Sequence, residues 1–223
     1  MNGGGVHPPV YSRTPPMNIA VLASHEGTTL QAVLDACAAG KIAARVALVI
    51  GNNADCGALR RARAAGIASV HLSSATHADP VQLDRAIATA LAQHRIDLVL
   101  LAGYMKRLGP ATREAFAGRI LNTHPALLPR FGGQGMYGAH VHRAVLAAGE
   151  RQSGASIHLV DEGYDTGPVL ARVIVAVEAG DTEATLAGRV QHAERALLIE
   201  VLAEIASGRR QLPGAPLPSP GPS

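Results

Sequence analysis

Three polar segments carry side chains that could take part in a reaction, and the first contains Asn122 and His124. These residues are two apart at the end of an apolar run, so on a strand both side chains would point the same way. An amide beside an imidazole can stabilise the oxygen of a carbonyl under attack. A polar strand end with an ordinary histidine is the commoner explanation of an isolated Asn-x-His. The pair therefore needs support from other parts of the chain.

The second segment lies between two apolar runs and holds the carboxylates of Asp161, Glu162 and Asp165. Gly163 and Gly167 permit a tight turn there. One of these acids could raise the pKa of a nearby histidine and take up a proton. A solvated acidic turn is the alternative interpretation.

The third segment is Gly27, Thr28 and Thr29, between the first apolar run and a helical pattern. Free N–H groups and the positive end of a helix dipole favour a phosphate at such a position. The segment is neither a Walker loop nor G-x-G-x-x-G, so it predicts no nucleoside triphosphate or dinucleotide. A plain helix cap by Thr28 or Thr29 would explain it equally well.

Apolar runs alternate with helical patterns along the chain, and this alternation predicts an α/β fold. We expect a mostly parallel, twisted sheet with helices on both faces. Ligands of such sheets bind at the carboxyl ends of the strands, where all three polar segments would lie. The predicted strands are 18–23, 46–50, 69–72, 97–102, 119–123, 153–160 and 168–177, and the predicted helices are 28–38, 58–65, 81–94, 111–117, 139–148 and 183–207.

Composition narrows the class of protein. Hydrophobic residues make up 48% of the 223 residues, which is enough to build a buried core. The net charge of +3 is spread along the chain without a long basic run, and this is poor support for nucleic-acid binding. No secretory signal and no apolar run of about 20 residues is visible, so we expect a cytoplasmic protein with small-molecule partners and no membrane contact. His140 and His142 are spaced like metal ligands but lack accompanying ligands, so no metal site is expected.

The ends of the chain are rich in Gly, Pro and Ser. Such segments bury too little apolar surface to offset chain entropy. We therefore predict disordered segments at 1–16 and 209–223 around a catalytic domain at 17–208, and Met17 is a possible start of the native protein.

Taken together, the segments resemble the glycinamide ribonucleotide formyltransferases. The matching stretches occur in the family's order and spacing, from Met17 to about Gly208. They are MNIAVLAS, GTTLQA, LVLLAGYMKRL, LNTHPALLPRF, HRAVL and SGASIHLVDEGYDTGPVL. The resemblance implies a Rossmann-like fold and transfer of a formyl group from 10-formyltetrahydrofolate, the co-substrate, to the amine of glycinamide ribonucleotide in purine biosynthesis.

The resemblance also implies roles for individual residues. Asn122, His124 and Asp165 match the catalytic trio, with His124 charged by Asp165, its pKa raised, and donating a second hydrogen bond to the reacting oxygen. Neither a metal nor an acyl-enzyme is implied. The implied ribonucleotide contacts are Gly27, Thr28, Thr29, Gln191 and Glu194, and the implied folate contacts are Met105, Lys106, Arg107, Leu108, Asn122, Val160, Asp161 and Glu162.

The chain departs from the family pattern at three places. The loop 132–138 (GGQGMYG) is longer than in many members and could close over the substrate. The stretch around Pro80 lacks an arginine that many members carry there, and Lys106 stands where arginine is frequent.

Three other functions remain as alternatives. They are formyl transfer to methionyl-tRNA or an amino sugar nucleotide, hydrolysis of formyltetrahydrofolate, and folate or nucleotide binding without catalysis. The two kinds of enzyme usually carry a further domain, and binding alone would not require the whole trio. Either a monomer or a homodimer is compatible with the sequence.

Overall fold

The computed structural model describes residues 16–213, and within them every predicted strand and helix is present, with ends that differ by at most two residues. The α/β prediction is therefore confirmed. The strands are β1 Met17–Ala23, β2 Ala44–Gly51, β3 Ser69–His71, β4 Leu98–Leu101, β5 Ile120–His124, β6 Gln152–Leu159 and β7 Val169–Ala176. The helices are α1 Thr28–Ala38, α2 Gly57–Ala64, α3 Pro80–Gln93, α4 Pro110–Ala115, α5 Ala139–Ala147 and α6 Glu183–Ala206.

The strands form one sheet in the order β3-β2-β1-β4-β5-β6-β7. The first five strands of that order are parallel, and β6 and β7 join antiparallel. The chain order reverses beside β1, whose neighbours are β2 and β4. Helices on opposite faces diverge at such a point, which opens a crevice at the carboxyl ends of the strands.

Alternating residues of the central strands enter two separate cores, one on each face of the sheet. In β1, Ile19 and Val21 pack with α1, α2 and α6, on what we term the α6 face. Ala20 and Leu22 pack with α3 on the opposite, α3 face. β4 is buried along its whole length because both faces are covered, as is typical of a central parallel strand.

The end of the described chain packs against the body beyond the predicted boundary at Gly208. Leu212 is only 9% exposed and belongs to the core of the α6 face. Arg210 donates to the carbonyl oxygen of Leu170 and pairs with Glu204. Residues 209–213 thus lie with the folded domain, whereas the predicted disorder of 1–15 and 214–223 falls outside the described residues.

No helix within residues 16–213 combines the length and the apolar character needed to cross a bilayer.

Candidate active site

The sheet register brings Asn122 and His124 together with a residue that sequence reasoning did not select, His158. β5 and β6 run antiparallel, and Asn122 lies directly opposite His158. Asn122 and His124 share the side of β5 that carries Ile120, whose side chain packs in the core of the α3 face. The pairing of β5 with β6 is the signal that would have identified His158, but it depends on knowing which strands are neighbours.

Asp165 reaches this group from the loop between β6 and β7. Its carboxylate lies 3.4 Å from Nδ1 of His124 and 3.4 Å from Nε2 of His158. The Asn122 amide donates to it at 3.4 Å, and the backbone N–H of Gly133 donates at 3.0 Å. The three predicted catalytic residues are therefore brought together, with His158 as a fourth member of the cluster.

The backbone of Asp165 is unusual because its φ is +56°, a value that few residues with a side chain adopt. The turn that holds it is organised by Asp161. The Asp161 carboxylate accepts from the Gly163 N–H at 2.9 Å and from the Thr166 hydroxyl at 2.7 Å. Asp161 thus shapes the loop that presents Asp165.

His124 is buried, with 3% of its surface exposed. Its Nε2–H donates to the carbonyl oxygen of Phe131 at 2.7 Å, which turns Nδ1 toward Asp165. Burial lowers the pKa of His124, and the opposing effects of Asp165 and of the Phe131 carbonyl do not cancel that lowering. The prediction of a raised pKa is therefore wrong, because removing the imidazolium from water costs more than the nearby carboxylate compensates.

The Asp165 carboxyl has the opposite balance. Burial raises its pKa, but the contacts with His158, His124 and the Gly133 N–H lower it by more, so the net pKa is below the ordinary value. Asp165 is therefore ionised at neutral pH. It faces a neutral His124 that presents the unprotonated Nδ1.

The Asn122 amide has both hydrogens engaged. His158 donates its Nδ1–H to the Leu159 carbonyl oxygen, so its Nε2 accepts from Asn122 Nδ2 at 3.0 Å. The second hydrogen points to Asp165 across the longer distance of 3.4 Å. Because it is the longer of the two bonds, a ligand oxygen could replace it most easily. Catalytic hydrogen bonds often reach their final length only when substrate is bound.

The start of the glycine-rich loop is part of this cluster. Phe131 supplies the carbonyl that fixes His124, and Gly133 supplies an N–H to Asp165. Phe131 has φ +55° and Gly133 has φ +98°, so the backbone bends sharply here. Closure of residues 132–138 over a substrate stays a prediction.

The phosphate-type segment opens α1 without a side-chain cap. The cap position is Gly27, with φ +69°, and neither Thr28 nor Thr29 caps the helix. A Cβ at residue 27 would come within 2.7 Å of the Ala58 Cα, so a glycine is needed both for the backbone angle and for the packing. The first N–H groups of α1 are thus left for an external acceptor.

On α6, the two predicted ribonucleotide contacts differ in environment. Gln191 is exposed, whereas Glu194 is 8% exposed. Burial raises the pKa of Glu194 to about 6, while a hydrogen bond from Thr123 and the charge of Arg195 oppose the rise.

The predicted folate segments lie at the α3 side of the sheet edge. Lys106 and Arg107 line a cleft of about 980 Å³ between the ends of β1–β3 and the start of α3. Leu108 is 3% exposed and sits in the core, and Met105 is fixed through its N–H to Ser24. The catalytic trio is not among the residues that line this cleft.

A bridge connects the segment 105–108 to the loop 161–166. Arg107 donates to the Glu162 carbonyl oxygen, and its guanidinium lies 5.4 Å from the centre of the Tyr164 ring. Val160 packs against the core of the α3 face nearby. Pro80, where the family arginine is missing, lines the same cleft as Lys106 and Arg107.

No cluster of three or more His, Cys, Asp or Glu side chains suited to a metal ion occurs between residues 16 and 213.

The formyl transferase family model matches residues 17–202, a range that contains the whole cluster around Asp165. The chain belongs to the formyl transferase family.

Relatives of this formyl transferase carry more specific names. Phosphoribosylglycinamide formyltransferase of Escherichia coli strain K12 is 40% identical over 88% of this chain and 90% of its own length. The chloroplastic phosphoribosylglycinamide formyltransferase of Arabidopsis thaliana is 42% identical, and the match covers 86% of this chain and 66% of the plant protein. The crystal structure of glycinamide ribonucleotide transformylase 1 from Symbiobacterium toebii matches with a TM-score of 0.85 and 38% identity, over 93% of this chain and 96% of that one.

Proposed function

We propose that this formyl transferase moves the formyl group of 10-formyltetrahydrofolate to the amine of glycinamide ribonucleotide, in de novo purine biosynthesis. Relatives at about 40% identity over most of this chain are named phosphoribosylglycinamide formyltransferases. The observation that carries the proposed chemistry is the convergence of Asn122, His124 and Asp165 at the end of β5.

The two substrates would approach this point from opposite faces of the sheet. The uncapped start of α1 and the Glu194 carboxyl belong to helices of the α6 face, which suits a phosphate and ribose hydroxyls. Lys106 and Arg107 lie toward the α3 face, which suits an anionic folate. Asn122 lies near the carboxyl end of β5, between the residues proposed for the ribonucleotide and those proposed for the folate.

In the reaction, the amine nitrogen attacks the formyl carbon, and the carbonyl oxygen becomes negative. Asn122 donates an N–H to that oxygen, after its weak bond to Asp165 is released. The attacking nitrogen loses a proton to the Asp165 carboxylate, where the unprotonated Nδ1 of His124 can share it. The bond from the carbon to the folate nitrogen then breaks, and the proton passes to that nitrogen.

This assignment changes the role expected of His124. Its Nε2–H is already donated to Phe131, and its Nδ1 faces Asp165, so neither ring nitrogen is available to the reacting oxygen. We infer that His124 stores the proton together with Asp165. Asn122 is then the donor of this cluster that stabilises the developing charge.

A spectroscopic turnover assay tests the proposal. The purified protein is mixed with 10-formyltetrahydrofolate and glycinamide ribonucleotide, and a parallel reaction contains no acceptor except water. We expect rapid formation of tetrahydrofolate only in the first reaction. Equal rates in both reactions would indicate hydrolysis, and no reaction in either would remove the proposal.

A further inference from the structure

Thr123 makes a contact that the proposed reaction does not use. Its hydroxyl donates a 3.1 Å hydrogen bond to Oε1 of Glu194 on α6. Within residues 16–213, the Glu194 carboxyl accepts this one hydrogen bond, through Oε1. Its Oε2 is not among the fully buried side-chain atoms that lack a hydrogen-bond partner. One oxygen of a nearly buried carboxyl is thus fixed by the protein, and the other stays accessible.

The direction of Thr123 follows from strand alternation. Asn122 and His124 point to the α3 side of β5, so Thr123 between them points to the side of Leu121, which packs in the core of the α6 face. Glu194 comes from the helix that covers this face. Three consecutive residues of β5 therefore place side chains on both faces of the sheet at the carboxyl end of this strand.

We propose that Thr123 is a positioning residue for the ribonucleotide, holding Glu194 Oε1 so that Oε2 accepts from a ribose hydroxyl. This inference rests on the proposed function, because it takes the ribonucleotide as the ligand of Glu194. Without the Thr123 hydroxyl, the carboxyl would lose its donor and its fixed rotamer. It would then be harder to ionise in its buried site.

The charges around Glu194 leave Thr123 as its main local support. Burial raises the pKa of Glu194 to about 6, and only Thr123 and Arg195 lower it. Other charged and titratable groups on the elements packed against α6 have partners of their own. Arg143 of α5 pairs with Glu183, and the pKa of His142 on α5 is shifted by burial and by the charges of Glu183 and His124. His158 of β6 contacts Asp165 and the Leu159 carbonyl, Arg172 of β7 donates to the Leu128 carbonyl, and Asp35 of α1 accepts from Gln31.

The test is Thr123→Val, which keeps the shape of the side chain and removes the hydroxyl. We expect the Kd of glycinamide ribonucleotide, measured by calorimetry at pH 7.5, to rise about tenfold, as for loss of a hydrogen bond to a charged group. The acceptor KM should rise similarly, while kcat and the folate KM change little. In the pH profile of binding, the wild-type loss of affinity below about pH 6 should move to higher pH, because the donor that lowers the Glu194 pKa is gone.

Thr123→Ser should restore wild-type affinity, and Thr89→Val, on the exposed side of α3, is the matched control. In a Glu194→Gln background, Thr123→Val should have little further effect, since Thr123 acts through that carboxyl. If Thr123→Val does not fold, the same comparison is made with Thr123→Ala.

Two results would overturn the role of Thr123 while leaving the proposed function intact. One is an unchanged Kd with an unchanged pH profile. The other is a fall in kcat alone, which would mean that Thr123 acts on Asn122 or His124. Failure of the wild-type protein to use glycinamide ribonucleotide would instead refute the proposed function itself.

Discussion

At the scale of single residues, Asn122 has the role that is easiest to test. It is the proposed donor to the negatively charged oxygen, and loss of one such donor typically lowers turnover by about 10²–10³. We expect Asn122→Ala to lower kcat by that factor with glycinamide ribonucleotide as the acceptor. A variant that folds normally by circular dichroism and keeps near-native kcat would contradict the role.

The second prediction at this scale concerns the protonation of His124. Because Asp165 raises the pKa of His124 while burial lowers it, Asp165→Asn should lower that pKa further. NMR titration of the imidazole protons measures the change, and Asp35→Asn on the exposed side of α1 is the control. A His124 pKa that does not respond to Asp165→Asn would show that the two side chains are not coupled in solution, and a pKa above the ordinary 6.5 would show that the carboxylate outweighs burial.

At the scale of elements, the loop between β6 and β7 holds Asp165 in a conformation that its own side chain disfavours. Asp161 stabilises the turn through two hydrogen bonds. We expect Asp161→Ala to lower kcat by up to about 30-fold, because the two lost bonds are worth about 1 kcal/mol each in holding the active geometry. Steady-state kinetics measure this, with Glu200→Ala on the exposed side of α6 as the control.

The same experiment distinguishes the role of Asp161 in the loop from the folate contact implied by family resemblance. A residue that mainly contacts folate would raise the folate KM and leave kcat unchanged. Asp161→Asn retains an acceptor oxygen, so its kcat should lie between that of Asp161→Ala and that of the wild type. A rise in folate KM alone would assign Asp161 to ligand binding.

At the scale of the whole molecule, the segment after α6 closes the core of the α6 face. Leu212 is 9% exposed, and Arg210 ties the segment to β7. We expect Leu212→Ala to lower the free energy of unfolding by about 2 kcal/mol, the low end for a buried leucine, because the chain can relax there. Urea denaturation measures this, and Gln211→Ala, at an exposed neighbour, should have almost no effect. An equal stability for the two variants would place the domain boundary back at Gly208.

The arrangement of the whole sheet also supports the proposed position of the chemistry at the end of β5. The parallel strands bring their polar ends to one edge, and helices on the two faces supply separate approaches. The α6 face provides an uncapped helix start and a carboxyl, and the α3 side provides cations. A reaction between two large substrates needs such separate approaches to one point.

Local patterns were sufficient for much of this result. Hydrophobic periodicity predicted the position of each strand and helix, because alternation and helical spacing are properties of neighbouring residues. The spacing of Asn122 and His124 predicted a shared face, whereas Asp165 was selected among the three nearby acids only through the family resemblance. The start of α1 was predicted correctly, but the alternative of a cap by Thr28 or Thr29 was wrong, because the cap residue is Gly27.

The elements and their class of fold could thus be predicted from residue patterns, and the family resemblance added that Asn122, His124 and Asp165 act together. The folded structure was needed to show that His158 joins them, that Thr123 contacts Glu194, that the pKa of His124 is lowered and that Leu212 completes a core. The physical reason is that pairing register, desolvation and packing across faces depend on groups far apart in the chain. Patterns among neighbouring residues do not show which distant groups come into contact.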